Sequence, residues 1–90
     1  MASFRAVISG RVQMVMYRDF AVRAARALGI VGTVRNLDGG SVEVIAEGEK
    51  AMLEAYLKKL KRGSMLSNVD GIEVEWREPT GRFEDFAIQF

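Results

Sequence analysis

Two spacings of apolar residues take turns along this chain, and their order leaves few folds open. Phe4, Ala6 and Ile8 alternate with Arg5, Val7 and Ser9, the period-two pattern of a strand over residues 4 to 10. Residues 18 to 28, RDFAVRAARAL, are rich in helix formers. Phe20, Ala24 and Leu28 recur there every four positions, and Gly29 is placed to end the helix. IVGTVRN is β-branched and apolar, LDGG is a turn signal, and SVEVIAE alternates cleanly, which predicts a hairpin. EKAMLEAYLKKLKRG repeats the helical pattern. It carries a stripe of Leu53, Leu57 and Leu60, the cations Lys58, Lys59 and Lys61 suited to a helix C-terminus, and Gly63 to close it. Ile72, Val74 and Trp76 alternate in a further strand, EPTG turns the chain, and Phe86, Ile88 and Phe90 finish an alternating segment.

The order β-α-β-β-α-β, with a short extra strand at the end, predicts an α+β ferredoxin-like sandwich, an antiparallel sheet with two helices on one face. Residues 1–90 are expected to form a single domain, large enough for one core without help from metal or disulfide. Trp76 and Phe83 are assigned to core or edge packing.

Residue inventory narrows the chemistry. The sequence has no cysteine, which excludes thiol nucleophiles, disulfides and thiolate metal sites. It has no histidine, the commonest general base and metal ligand. No stretch approaches membrane-spanning length and the N-terminus MASFRAV is not leader-like, so a cytoplasmic location is expected. Net charge is only +1, but Arg5, Arg11, Arg18, Arg23, Arg26 and Arg35 face the single acid Asp19 over residues 1 to 37. Arg23 and Arg26 read as a solvated face. The others leave open a local positive field that meets an anionic ligand.

Topology brings particular residues together. In a split β-α-β unit the first and second strands run parallel with the third between them, so their C-terminal ends share one edge, about 10 Å apart. The first strand leaves that edge through GRVQMVMYR, residues 10 to 18, and the second ends there with Arg35 and Asn36. The loop, Arg18 and Asn36 are therefore predicted neighbours. A strand that runs through a glycine-containing loop into a helix is a recurrent anion site, because first-turn amides lack intrahelical partners. Arg18 adds a planar fork that suits phosphate. No Gly-Lys-Ser/Thr follows, so the loop is not a nucleotide-binding Walker A motif. Taken alone, a surface ion pair explains Arg18 equally well, and a turn role explains Asn36 better. Asp19 reads as a first-turn acid that complements the helix dipole.

GRVQMVMYR closely resembles the signature of the acylphosphatase family, Gly-Arg/Lys-Val-Gln-Gly-Val-x-Phe/Tyr-Arg, with Gly10, Arg11, Val12, Gln13, Val15, Tyr17 and Arg18 matching. GTVRNLDGGSVEVIAEG is similar to the family's second segment through Gly32, Val34, Asn36, Gly40, Val42, Glu43, Glu47 and Gly48, and FEDFAIQF to its aromatic C-terminal strand. The resemblance implies hydrolysis of acyl phosphates to a carboxylate and inorganic phosphate without metal or cofactor. By it, the amides of Arg11, Val12, Gln13, Met14, Val15 and Met16 cradle the phosphoryl group, the Arg18 side chain binds it, and Asn36 orients the attacking water. The implied partners are a small-molecule acyl phosphate and phosphate, with no nucleic acid and no membrane, and the chain is expected to be a monomer.

The residue inventory suits that chemistry independently. Phosphoryl transfer passes through a loose transition state, so positioning and charge stabilisation matter more than covalent help. The leaving carboxylate has a low pKa and needs no general acid.

Met14 stands where the family has glycine. If the loop needs a left-handed backbone there, a side chain costs on the order of 1–2 kcal/mol. Turned outward, the methionine is an exposed hydrophobe; turned inward, it crowds the phosphate. The alternative function is accordingly an anion-binding domain with reduced or no turnover because of Met14. A nucleic-acid-binding module of the same topology is the other rival. It would need stacking aromatics on the open sheet face, whereas SVEVIAE is acidic and the first strand offers only Phe4.

Overall fold

A computed structural model describes all of residues 1–90. The elements follow in the predicted order: β1 (Ala2–Arg11), α1 (Tyr17–Ala27), β2 (Val31–Asn36), β3 (Val42–Gly48), α2 (Lys50–Arg62), β4 (Asn68–Arg77) and β5 (Phe86–Ile88). The sheet order is β4-β1-β3-β2-β5. β3 is antiparallel to both β1 and β2, so β1 and β2 run parallel and end, at Arg11 and Asn36, on the same edge. That is the placement expected from topology.

The last strand differs in one respect. β5 adds to the outer edge of β2 in parallel, with Gly32 opposite Phe86 and Val34 opposite Ile88, so the sheet is mixed. Alternation announces a strand but not its direction. The direction follows from the return path, since β4 and β5 lie on opposite edges and residues 78–85 join them.

Even-numbered residues of the central strands form the core: Phe4, Ala6 and Ile8 from β1 and Val42, Val44 and Ala46 from β3. Leu53, Tyr56 and Leu60 of α2 cover them, with Leu57 only partly buried. On α1 the buried stripe is Tyr17, Ala21, Val22 and Ala25, whereas Phe20, Ala24 and Leu28 flank it. The shift has a local cause. Ala21 has no bulk beyond its Cβ, which lets Tyr56 come close enough for its hydroxyl to donate to the Ala21 carbonyl at 2.8 Å. Trp76 packs edge-on against Phe4, with ring centroids 5.5 Å apart, while its outer side stays in solvent under Lys50.

Odd-numbered residues of the same strands face away from the helices, and two buried carboxylates lie there. Glu43 is held between Arg5 Nε at 2.7 Å and Arg35 Nε at 2.8 Å. Glu47, 1% exposed, accepts from the Thr80 amide at 2.7 Å and hydroxyl at 3.0 Å, and from the Gly81 amide at 3.0 Å. Burial alone would push both carboxyls up. The guanidinium groups around Glu43 and the amide and hydroxyl donors around Glu47 outweigh it and hold both below the ordinary glutamate range. Glu47 thereby fastens the β4–β5 connection to the central strand. Arg26 is exposed, as its reading as part of a solvated face expects, and it also donates to Asp85 at 3.1 Å and to the Phe86 carbonyl at 3.0 Å, tying α1 to β5. No helix is long and apolar enough to cross a membrane.

Candidate anion-binding site

The site begins with a bulge. β1 pairs with β4 in register as far as Ser9, and the pairing shifts at Gly10. Gly10 has φ +122°, and a Cβ there would stand 2.2 Å from the Asn68 carbonyl oxygen and 2.7 Å from the Asp70 nitrogen. Only glycine allows the two strands to approach so closely, and the bulge turns the following residues off the sheet edge. Arg11 is still in the ladder, opposite Asn68.

Residues 12 to 16 then alternate inward and outward. Val12 and Val15 are buried, Tyr17 is buried beneath them, and Met14 and Met16 face solvent. Met14 and Met16 both have left-handed backbone, φ 61° and 62°, while Val15 between them does not. Each such turn costs about 1–2 kcal/mol for a residue with a side chain. Burying Val12 and Val15 contributes roughly 1.5–2 kcal/mol apiece, which offsets that cost and holds the loop in its strained form. Tyr17 adds a hydrogen bond from its hydroxyl to the Leu60 carbonyl at 2.7 Å, which pins the start of α1 to the end of α2. Burial pushes this phenol well above its ordinary pKa, so it stays a neutral donor.

The consequence is a row of donors without protein acceptors. No amide from Val12 through Asp19 donates to a protein acceptor; the first to do so is Phe20, to the Met16 carbonyl at 3.1 Å. Met16 caps α1 without a side-chain hydrogen bond. Backbone that alternates in hand curls successive N–H groups into a concave anion nest, and a helix N-terminus adds positive potential. An open recess of about 410 Å³ lies here, lined by Val12, Met14, Met16, Tyr17, Arg18, Asp19 and Ile88. Arg18 forms no ion pair, and its guanidinium stacks on the Phe90 ring at 5.2 Å from the centroid. Asp19 is engaged by Arg23 at 3.2 Å. No three acidic side chains gather where they could hold a metal ion.

Of the residues expected at the site, Val12, Met14, Met16 and Arg18 meet around the recess. Met14 is fully exposed at its rim and does not fill it. Arg11, Gln13, Val15 and Asn36 are not on its lining. Asn36 ends β2, exposed, opposite Val42. What joins its strand end to the loop is Gln13, whose Nε2 donates to the Leu37 carbonyl at 2.9 Å and the Ser41 carbonyl at 2.8 Å. This clamp, the Tyr17 pin and the Phe90 stack were not read from sequence. A glutamine flanked by apolar residues was the one available signal.

The fold is that of a ferredoxin-like α+β sandwich, with an uncapped helix N-terminus and an arginine without an acid partner following the end of β1. Comparison with known proteins gives the family. The acylphosphatase family profile matches residues 4–88. Acylphosphatases of Anaeromyxobacter dehalogenans and Thermus thermophilus are 45% identical over 86 residues and 49% identical over 76 residues. The first alignment covers 96% of this chain and 92% of the relative, the second 84% and 86%. The crystal structure of acylphosphatase from Bacillus subtilis superposes with a TM-score of 0.96 at 33% identity, covering 100% of both chains. The chain belongs to the acylphosphatase family.

Proposed function

We propose that the protein hydrolyses acyl phosphates to a carboxylate and inorganic phosphate, as a monomeric, single-domain cytoplasmic hydrolase that uses no metal or cofactor. The phosphoryl oxygens take hydrogen bonds from the loop amides, and the Arg18 guanidinium supplies a bidentate, charged contact. Asn36 orients water from the neighbouring strand end. The water oxygen attacks phosphorus, the phosphorus–acyl oxygen bond breaks with its electron pair leaving on the carboxylate, and a phosphate oxygen takes the water proton. No general acid is needed for so stable a leaving group.

The observation that carries this reading is the run of unpartnered amides from Val12 through Asp19 beside an arginine without an acid partner. The alternative, a site that binds but does not turn over, needs Met14 to distort or obstruct the loop. The backbone at Met14 adopts the left-handed turn and its side chain is outside, which favours an active site. Hydrolysis of an aromatic acyl phosphate, assayed with and without chelator, tests the proposal. Equal rates are expected; loss of activity in chelator with recovery on adding a divalent ion would overturn it.

A further inference from the structure

Eight large apolar side chains are exposed on this molecule, and five of them, Met14, Met16, Met65, Leu66 and Phe90, stand at one end. The topology collects them. β4 begins where β1 ends, with Asn68 opposite Arg11, so the turn between α2 and β4 lies beside the loop that carries Met14 and Met16. β5 runs parallel to β2, which brings Phe90 to the same edge. Met65 and Leu66 form the corner of the turn, 98% and 64% exposed, a position where short polar residues are usual. The turn is braced without them. The Ser64 amide donates to the Ser67 hydroxyl at 2.8 Å, and that hydroxyl donates to the Ser64 carbonyl at 3.0 Å. The fold gains nothing from an apolar corner, whereas a partner gains by covering it.

Charge is skewed toward the same end. The last two turns of α2 carry Lys58, Lys59, Lys61 and Arg62, all exposed and none in an ion pair, and Arg11 at the end of β1 is likewise exposed and unpaired. The one acid on α2 is Glu54, a turn back from Lys58. The other acids near this end are Asp19, already paired with Arg23, Asp38 on the hairpin turn and Asp70 in the first half of β4. With 13 cations and 12 acids in the whole chain, this end is net positive and the remainder net negative.

We propose that this end docks on anionic phospholipid bilayers, with Met65 and Leu66 entering the interface and Lys58, Lys61 and Arg62 meeting lipid phosphates. Stable surface binding takes two signals, apolar insertion and a basic cluster, and both are present on adjoining residues. The degree of exposure makes the corner a protrusion, which a deformable lipid interface accepts; a nucleic acid would satisfy the lysines and leave the corner in water. The family resemblance implies no membrane partner, and no helix is long and apolar enough to cross one, so the contact is with the bilayer surface alone. It lies beside the recess, because Met16 lines both the recess and the depression of about 280 Å³ under the turn. The docking therefore stands independently of what the recess hydrolyses.

The test sediments the protein with vesicles of phosphatidylcholine, pure or mixed in equal parts with phosphatidylglycerol, at low and high salt. Partition onto the mixed vesicles should exceed that onto pure phosphatidylcholine by at least about tenfold, and salt should release the protein. Lys58→Gln combined with Lys61→Gln should lose roughly 25-fold, at about fivefold for each cation removed. Met65→Ser combined with Leu66→Ser should lose roughly tenfold or more. All four positions lie outside the recess, so Tm and phosphate inhibition should stay unchanged in both variants. No partition onto the mixed vesicles, equal partition onto the pure ones, or serine substitutions without effect overturns the docking. Tighter binding to polyuridylate or to polyglutamate than to the mixed vesicles at equal salt overturns the lipid assignment in favour of a nucleic acid or an acidic protein.

Discussion

Replacing Gln13 by alanine should separate the positioning of water from the binding of phosphate. The substitution keeps the amide of residue 13 and deletes both bonds made by its Nε2, at 2.9 Å to the Leu37 carbonyl and 2.8 Å to the Ser41 carbonyl. A neutral hydrogen bond nets about 0.5–1.5 kcal/mol, and a buried acceptor left unpaired costs more. Here the Ser41 carbonyl keeps the Leu37 amide at 2.9 Å, and Leu37 is only half-buried, so the added penalty is small. The loss is therefore about 1–2 kcal/mol. At roughly 4–8 °C per kcal/mol for a chain of this size, Tm should fall by roughly 4–16 °C. Asn36 immediately precedes Leu37, and a shift of about 1 Å in a positioned group can cost on the order of 100-fold in rate. Turnover should accordingly drop by at least tenfold, while inhibition by phosphate stays within about twofold because Arg18 and the loop amides are untouched. Gln13→Glu, equal in size but unable to donate when ionised, should lower Tm and turnover likewise, and its charge on the loop should weaken phosphate inhibition as well. The assay is steady-state hydrolysis with phosphate inhibition, alongside thermal unfolding. Lost phosphate affinity with kcat retained, or no change in Tm and kcat for both variants, would refute the clamp.

The remaining expectations follow from the same geometry. Arg18→Gln should abolish phosphate inhibition and turnover together, whereas Asn36→Ala should cut kcat and leave phosphate inhibition nearly intact; the reverse pattern would exchange their roles. Met14→Gly relieves a left-handed strain of about 1–2 kcal/mol but gives up roughly 0.4–1 kcal/mol in chain entropy. A small rise in Tm with phosphate affinity unchanged is therefore expected, and a large gain in affinity would show that the methionine crowds the recess. The Glu47 carboxyl is held below its ordinary value in the folded chain, so its contribution is complete above the unfolded pKa of about 4.3 and is lost as pH falls through the folded value. Urea unfolding of Glu47→Gln should show lower stability at neutral pH and a flatter decline into acid. A decline as steep as that of the wild type would place the acid sensitivity elsewhere.

Much of this architecture is legible in the residues because it depends on periodicity. Alternation in SVEVIAE and the spacing of Leu53 and Leu60 fix which faces are buried, and topology alone puts Arg11 and Asn36 on one edge. Features that depend on a single side chain reaching across the fold are not legible. Phe20 outweighs Ala21 on any hydrophobic scale, yet Ala21 is buried because Tyr56 needs the space above it. Gln13 can be recognised as a motif residue, but that its carboxamide grips the hairpin follows only from the path of residues 37–41. The direction of β5 depends on a connection anchored by Glu47, whose burial on the open face no local pattern announces. Phe90 continues the alternation beyond Ile88, but it lies past the last paired residue and lends its ring to Arg18.

The central claim is that the amides following β1 hold a phosphoryl group with Arg18, and the most direct measurement is a titration of the protein with inorganic phosphate, followed by backbone amide chemical shifts. Signals from Val12 through Asp19 should move together along one saturating curve, and Arg18→Gln should flatten it. Shifts that fail to saturate, or that centre on Arg5 and Arg35 across the open face, would contradict the claim.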